Sequence, residues 1–473
     1  MNPSPKPPSR IPRPSPGQLR IAAALVGVAL AGITAVTGGA PGHLERLLYD
    51  QAVSRLLPGV PRSADLVLVE VDDRALAALG ERWPLSRATW ARVFQALAAQ
   101  RPAAVAVDVV FDQPGPREAL ELGEDVLTSL RESGLAEQPA GAALVAELEA
   151  RLRTQDGDAR LAEALAENGS VILGAAALTE DVSLMPPLED GALETPLPLP
   201  VETLRLQSRE IAGSIAPLRL AAHGSGTLNM LVEADGVIRR YPYAVGVGGQ
   251  AWPSLALATA LRLMPEQAET LMRRAALDHG APLMRLPAPD WLPRVSLADV
   301  LQVDPRSVGL DLALRGKTLF VGVTATGLHG QSTLPGQVAV PGVEIHAFAL
   351  DNLRADRLMR SSGVVAVTGV LETLVLLMFF GWRCRRARTL GAVIRTAIAL
   401  MAVHVALVGW LAADLGWVVP LVPGALGLGL MLLVDSAARA EELGRQRGAL
   451  RRLFVRYPQA SPSTAVPPGG DTR

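Results

Sequence analysis

Four long apolar stretches, one near the beginning of the chain and three near its end, constrain what it can fold into more than any other feature. Ile21 to Ala40 carries no charge, and twenty helical residues rise about 30 Å, the thickness of a bilayer core. Gly363–Trp382 is broken only by Glu372, Thr396–Ala413 contains His404, and Leu415–Val434 contains Pro420 and Pro423. A cleaved signal peptide competes for the first stretch. Its apolar region usually runs about 7–15 residues, so an uncleaved anchor is expected.

Orientation follows from the positive charge in the short flanks. The N-terminal tail, the Arg383–Arg388 loop and the region beyond Arg439 are Arg-rich, whereas the turn at Asp414 has no Lys or Arg. An inside–out–in–out–in path satisfies all four observations. The chain then divides into a disordered basic cytoplasmic tail (1–20), a first span (21–41), an extracytoplasmic domain (42–360), spans at 363–382, 390–413 and 415–434, a cytoplasmic amphipathic helix (435–457) and a disordered tail (458–473). Both termini are expected in the cytoplasm, and the protein in the cell (inner) membrane. With a formal net charge of −1, no global excess suggests nucleic acid as a partner. Cys384 is the only cysteine, so no disulfide staples residues 42–360, which must fold on an apolar core.

Within 42–360 the periodicity alternates between strand and helix, the pattern of an α/β domain beside an all-α membrane region. Leu66–Val71, Ala104–Phe111, Val171–Gly174 and Lys317–Val323 read as buried strands. The stretch up to Gln100, Ala159–Glu167, Trp252–Leu263 and Gly342–Arg354 read as helices, and Arg117–Arg153 as a helical insertion. Residues 178–222 are proline-rich and read as a surface excursion. Glu233-Ala234-Asp235-Gly236 marks a hairpin turn, because glycine supplies the positive φ it needs.

Four segments in order, VEVDDRALAALGERWPLSR (69–87), AVAVDVVFDQP (104–114), GTLNMLVEADGVIRRYP (226–242) and GKTLFVGVTATGLHGQSTLPGQVAVPGVEIHA (316–347), resemble the type-2 CHASE domain. The resemblance covers about residues 44–360, and three helices after the domain complete the pattern. It implies an extracytoplasmic sensory domain of the kind found ahead of cyclases and histidine kinases. Leu453–Tyr457 is similar to the linker before a cyclase domain. Only 39 residues follow Val434, against roughly 100 or more in a catalytic domain. The expectation is a membrane sensor, not itself an enzyme, that signals through its three C-terminal helices to a separate cytoplasmic partner. The alternatives are a truncated receptor cyclase or kinase, a membrane scaffold and, remotely, an outer-face metal-dependent hydrolase.

Candidate ligand-binding residues follow from position. Asp72, Asp73, Asp108 and Asp112 lie in or after buried strands, where α/β sheets bind ligands, although Asp also caps helices well. Beside Trp83, Arg87 either binds an anionic ligand or pairs with Asp72 or Asp73. Asp235 and Arg239 flank the hairpin turn, and a structural role is favoured for Arg239 and Arg240. Gly342 opens a helix whose N-terminal amides suit an anion, with His346 one turn on. His329 and His346 lack a third ligand, so neither a metal nor a cofactor is expected. Glu372 and His404 lie near mid-bilayer on helices joined by a short loop, and are expected to hydrogen-bond and fix helix packing. The outer ligand stays open between a small molecule and a protein. A homodimer and contact with membrane lipid are also open, the latter through the Arg-rich helix beyond Val434.

Overall fold

The computed structural model describes residues 15–36, 43–55, 57, 59, 61–116, 118–178, 196–288, 290–304, 306, 312–328, 331–336 and 338–456. Residues 1–14 of the expected N-terminal tail, the whole expected tail 458–473, Tyr457 and His329 lie outside the described residues. The chain forms two units: a helical one of Met1–Pro41, Val364–Trp410 and Val419–Arg473, and an α/β one of Gly42–Gly363 with Leu411–Val418.

In chain order the helices are α1 (Pro16–Val36), α2 (His43–Arg55), α3 (Asp73–Leu79), α4 (Arg87–Gln100), α5 (Glu118–Glu132), α6 (Pro139–Gln155), α7 (Gly157–Asn168), α8 (Ala216–Ala221), α9 (Leu255–Leu263), α10 (Ala268–Ala275), α11 (Leu277–Gly280), α12 (Leu297–Val300), α13 (Gly342–Arg354), α14 (Val364–Arg386), α15 (Leu390–Asp414) and α16 (Val422–Arg456). The strands are β1 (Leu66–Val71), β2 (Ala104–Val107), β3 (Val171–Leu178), β4 (Gln207–Ser208), β5 (Glu210–Gly213), β6 (Gly224–Thr227), β7 (Ala244–Val247), β8 (Gln250–Pro253), β9 (Arg294–Ser296), β10 (Thr318–Val323), β11 (Gln331–Leu334) and β12 (Val338–Pro341).

A seven-stranded sheet in the order β5-β3-β2-β10-β1-β9, with β6 added beside β3, forms the centre of the α/β unit. Its middle is parallel, with Leu66 opposite Thr318, Thr318 opposite Ala104, and Val105 opposite Val171. Successive strand side chains point to opposite faces, so the apolar runs feed two cores. Val67, Val69, Val105, Val107 and Val321 pack with Trp90, Phe94 and Leu97 of α4 and Leu161 and Leu165 of α7. Leu66, Leu68, Ala106 and Phe320 face Leu255 and Leu257 of α9, Phe348 of α13, and Tyr241 and Tyr243. A sheet buried on both sides explains why its strands read as unbroken apolar runs. Local caps set the helix starts: Asp72 accepts from the Ala75 amide at 2.8 Å, and Ser86 from the Thr89 amide at 3.2 Å.

Several expectations change. β2 stops at Val107, four residues early, which leaves 108–116 as a loop. Part of 178–222 belongs to the core: β5 pairs antiparallel with β3, and Ile211, Ala212 and Leu218 are buried. Its prolines masked a short strand and a short helix. Residues 179–195 lie outside the described residues.

In the helical unit α14, α15 and α16 are long and apolar enough to cross a membrane, and Gly17–Ile33 of α1 is a shorter apolar helix. The first helix starts at Pro16, so Arg20, read as tail, lies inside it. The last span does not begin at Leu415. Leu411–Val418 belongs to the α/β unit, where the Arg360 amide donates to the Gly416 carbonyl (2.7 Å) and the Val418 amide to the Arg360 carbonyl (2.8 Å). At the other end α16 runs unbroken to Arg456, so the expected amphipathic helix at 435–457 and the span form one helix. Leu443 and Leu450 on it are exposed.

Small residues bring the helices close. A Cβ on Gly27 of α1 would lie 2.7 Å from Leu377 and 3.2 Å from the Gly427 backbone of α16, an approach that only small residues permit. Asp435, fully buried, pairs with Arg20 of α1 and, at 2.6 Å, with Arg439, which also donates to the Cys384 carbonyl of α14 at 2.9 Å. His404 Nδ1 lies 2.7 Å from Glu372 Oε1, and Nε2 lies 3.0 Å from the Leu421 carbonyl. A carbonyl only accepts, so Nε2 carries a proton. The bond at Nδ1 then joins either a neutral imidazole to a protonated acid or an imidazolium to a carboxylate. Both forms are neutral overall, which suits a site of low polarity. Gly424 makes the room: a Cβ there would lie 2.6 Å from Nε2. Glu372→Leu should lower stability by about 0.5–2 kcal/mol in detergent-unfolding titrations, while Glu372→Gln keeps a hydrogen bond and most of the stability. Equal stability of Glu372→Leu and wild type would exclude a packing role for the pair.

Candidate ligand site

The loop after β2 and the turn before α4 enclose a cavity of about 870 Å³ at the carboxyl end of the sheet, lined among others by Trp83, Arg87, Asp108, Phe111, Asp112 and Leu228. Arg87, first residue of α4, holds the loop in place. Its Nε donates to Asp158 Oδ1 at 2.8 Å, its guanidinium also donates to the Gln113 carbonyl, and it lies 4.8 Å over the Phe111 ring. Asp158 Oδ2 accepts from the Gly115 amide at 2.7 Å. This close approach needs glycine at 157, where a Cβ would lie 2.8 Å from the Arg87 Cβ. Phe111 is fixed from behind, its amide donating to Ser214 Oγ (3.2 Å) and its carbonyl accepting from the Ile215 amide (2.9 Å). Trp90 stacks on Phe94 and meets Phe111 edge-on at 5.6 Å.

Arg87 therefore pairs with neither Asp72 nor Asp73. It starts α4, whose neighbour is α7, and Asp158 lies in the first turn of α7. Asp72 caps α3 and accepts from Ser296 Oγ at 2.7 Å, while Asp73 accepts from the Thr326 hydroxyl at 2.8 Å. Neither lines the cavity. Glu70, two residues before Asp72 on β1, is engaged by Arg294 at 2.6 Å. The strand-end acids thus divide: Asp108 and Asp112 face the cavity, and Asp72 and Asp73 hold helices and loops.

Asp108 is the first residue beyond β2, its side chain 22% exposed. Behind it are Gly342, where a Cβ would lie 3.8 Å from Oδ2, and buried His346, with Nε2 3.9 Å from Oδ1. Gly342 and His346 do not line the cavity. The acid beside the α13 N-terminus is thus the chain's own, in place of the expected external anion. His346 Nδ1 is 2.7 Å from the Tyr241 hydroxyl, whose oxygen accepts from the Ala256 amide at 3.4 Å. Tyr241 then gives its own proton to Nδ1, and the Nε2 proton of the neutral ring points toward Asp108. Burial pushes the Asp108 carboxyl up to about 7 and the His346 imidazole down to about 3.

Asp235 and Arg239 lie elsewhere, in a cluster about a guanidinium that is 4% exposed. Arg239 binds Asp50 of α2 with two bonds (2.8 and 2.7 Å), Glu233 at 2.8 Å and Asp235 at 2.9 Å. The bonds from Arg239 hold Asp235 down to about 2. Beside it, Arg240 binds Asp278 at 3.0 Å and Ser361 Oγ at 2.6 Å. Burial works against ionisation of Asp278, but Ser362, Arg240 and Ser361 hold its carboxyl below the usual range. The sequence pattern does not single out Asp50, Asp158, Tyr241 or Asp278. Their spacing from their partners is too long for any local pattern, and only the RRYPY run (239–243) hints that Tyr241 belongs with the two arginines.

The CHASE2 domain model matches residues 22–383. The chain belongs to the CHASE2 family. CHASE2 is a sensory domain family, and the match takes in most of α1 and of α14 as well as the α/β unit. No curated protein and no solved structure matches the chain significantly.

In this CHASE2 protein the folded pKa of Asp108, about 7, exceeds its ordinary 3.8. The unfolded chain releases that proton first, so this acid removes stability as pH rises from about 4 to about 7. His346, falling from 6.5 to about 3, acts in the opposite sense, removing stability as pH falls through that range. Asp108→Asn should therefore gain stability relative to wild type between pH 4 and 7, by up to about 1.4 kcal/mol per pH unit, and then level off. Melting temperatures across pH measure it, and a constant difference would place Asp108 in a solvated setting.

Proposed function

We propose that this CHASE2 protein is a membrane-bound sensor whose α/β unit faces away from the cytoplasm. A signal received in the cavity at Asp108 would pass through α14–α16 to a cytoplasmic partner. The observation that carries this reading is that Asp108 lies beside His346, which is hydrogen-bonded to Tyr241, the residue that follows Arg240 in the chain. Arg240 and Arg239 grip the two places where the α/β unit leads into the membrane helices along the chain: Ser361, three residues before α14, and Asp50 on α2, the helix after α1. A ligand shifts such a system only by binding one arrangement better than another. Asp108 supplies a two-state element, because its charged form attracts the Nε2–H of the neutral His346 ring, 3.9 Å away, and its neutral form does so far less. The Arg-rich flanks of the spans support the orientation, as does the membership of Leu411–Val418 in the same unit as residues 42–363.

Two measurements test this. A cysteine placed on the exposed turn after α5 (Ser133→Cys) should react with a membrane-impermeant maleimide on intact cells, and protection until lysis would invert the orientation. At pH 8.5, where wild-type Asp108 is ionised, Asp108→Asn should change amide hydrogen exchange in 44–55 and 358–363, and Tyr241→Phe should reduce that change at least severalfold. Exchange there that ignores Asp108 would rule out this route.

A further inference from the structure

We propose that the cavity beside Asp108 takes a small cationic ligand, an ammonium or guanidinium group carried on an apolar or aromatic body. The proposal rests on the sensor reading of this cavity and specifies its ligand chemistry.

Charge selects the class. The described lining residues include Asp108, Asp112, Asp156 and Asp158, against one cation, Arg87. Arg87 is already held by Asp158 and the Gln113 carbonyl and covered by the Phe111 ring. It has little left to offer an anion, the ligand that the sequence alone allowed for it. Asp156 caps α7, accepting from the Ala159 amide at 2.9 Å. Asp108 and Asp112 accept no hydrogen bond from a described residue, and the one charged-group contact of Asp108 among the described residues is His346 Nε2 at 3.9 Å.

The setting of that carboxylate points the same way. Little of Asp108 reaches solvent, and a partly desolvated carboxylate gains most from a cation that donates hydrogen bonds to it. Burial already lifts its pKa to about 7, and no cation is among the causes to offset it. A bound ammonium would supply the missing partner and favour the ionised form. The wall accounts for the body of the ligand. Trp83 and Leu228, both part-exposed, give an aromatic and an apolar surface to the cavity, the combination that binds organic cations by burial and by cation–π attraction.

Calorimetry on the full chain in nanodiscs at pH 8 tests the proposal with three probes of one shape: phenethylamine, 2-phenylethanol and 3-phenylpropanoate. Phenethylamine should bind saturably and at least tenfold tighter than the other two. Asp108→Asn should weaken it at least tenfold, while Glu269→Gln, an exposed acid on α10, should leave it unchanged. If the alcohol or the anion binds as well as the amine, or Asp108→Asn binds the amine as wild type does, the cationic class is wrong while the cavity remains a ligand site. If none of the three binds, the ligand class and the reading of the cavity as the input site fall together.

Discussion

Two adjacent arginines, buried side by side, hold the α/β unit together at the segments that lead into the membrane helices. Arg239 is surrounded by Asp50, Glu233 and Asp235, and Arg240 by Asp278, Ser361 and the Ala281 carbonyl. A buried guanidinium left without partners is severely destabilising, so each of these contacts is obligatory once the arginine is inside. The consequence is positional. α2, the turn at 233–236, the left-handed kink at Asp278-His279 and the segment before α14 must all come to one place to satisfy two cations. The kink has positive φ at both residues, a strained backbone that the bonds to Arg240, Ser361 and Ser362 hold in place.

The same economy of partners shapes the cavity. Arg87 and Asp158 neutralise each other and draw the loop 108–116 around Phe111. Asp108 and Asp112 are left as acids that accept no hydrogen bond among the described residues. Structure and candidate function thus separate within one set of carboxylates at the ends of neighbouring strands. Asp72 and Asp73 are occupied by Ser296 and Thr326, whereas Asp108 is set against a neutral histidine and an open space. The difference lies in the segment after each strand: a helix starts at once after β1 and uses Asp72 as its cap, and a loop succeeds β2.

Much of this was legible in the chain. Apolar runs of strand length announced the central β1, β2, β3 and β10, α13 falls at Gly342–Arg354 as its pattern indicates, and Glu372 and His404 meet across α14 and α15. Short connections and regular periods carry such information locally. The small strands β4, β5 and β9, the burial of Leu218 and the partner of Asp435 were not legible. Prolines broke the first pattern, and Asp435 looked like the end of a span, although Arg20, 415 positions away, neutralises it.

The sequence by itself determined the division into membrane-type helices and an α/β domain, the membership of the CHASE2 family and the set of residues from which a site is made. These depend on hydropathy, period and short motifs, all of which act over a few residues. Only the tertiary structure decided which carboxylate has which partner: Asp158 rather than Asp72 for Arg87, Asp50 for Arg239, Asp278 for Arg240, and no described cation for Asp108. Ion pairing depends on distance in space and on loss of water, and no local pattern records which distant segments the closing of two hydrophobic cores will bring together.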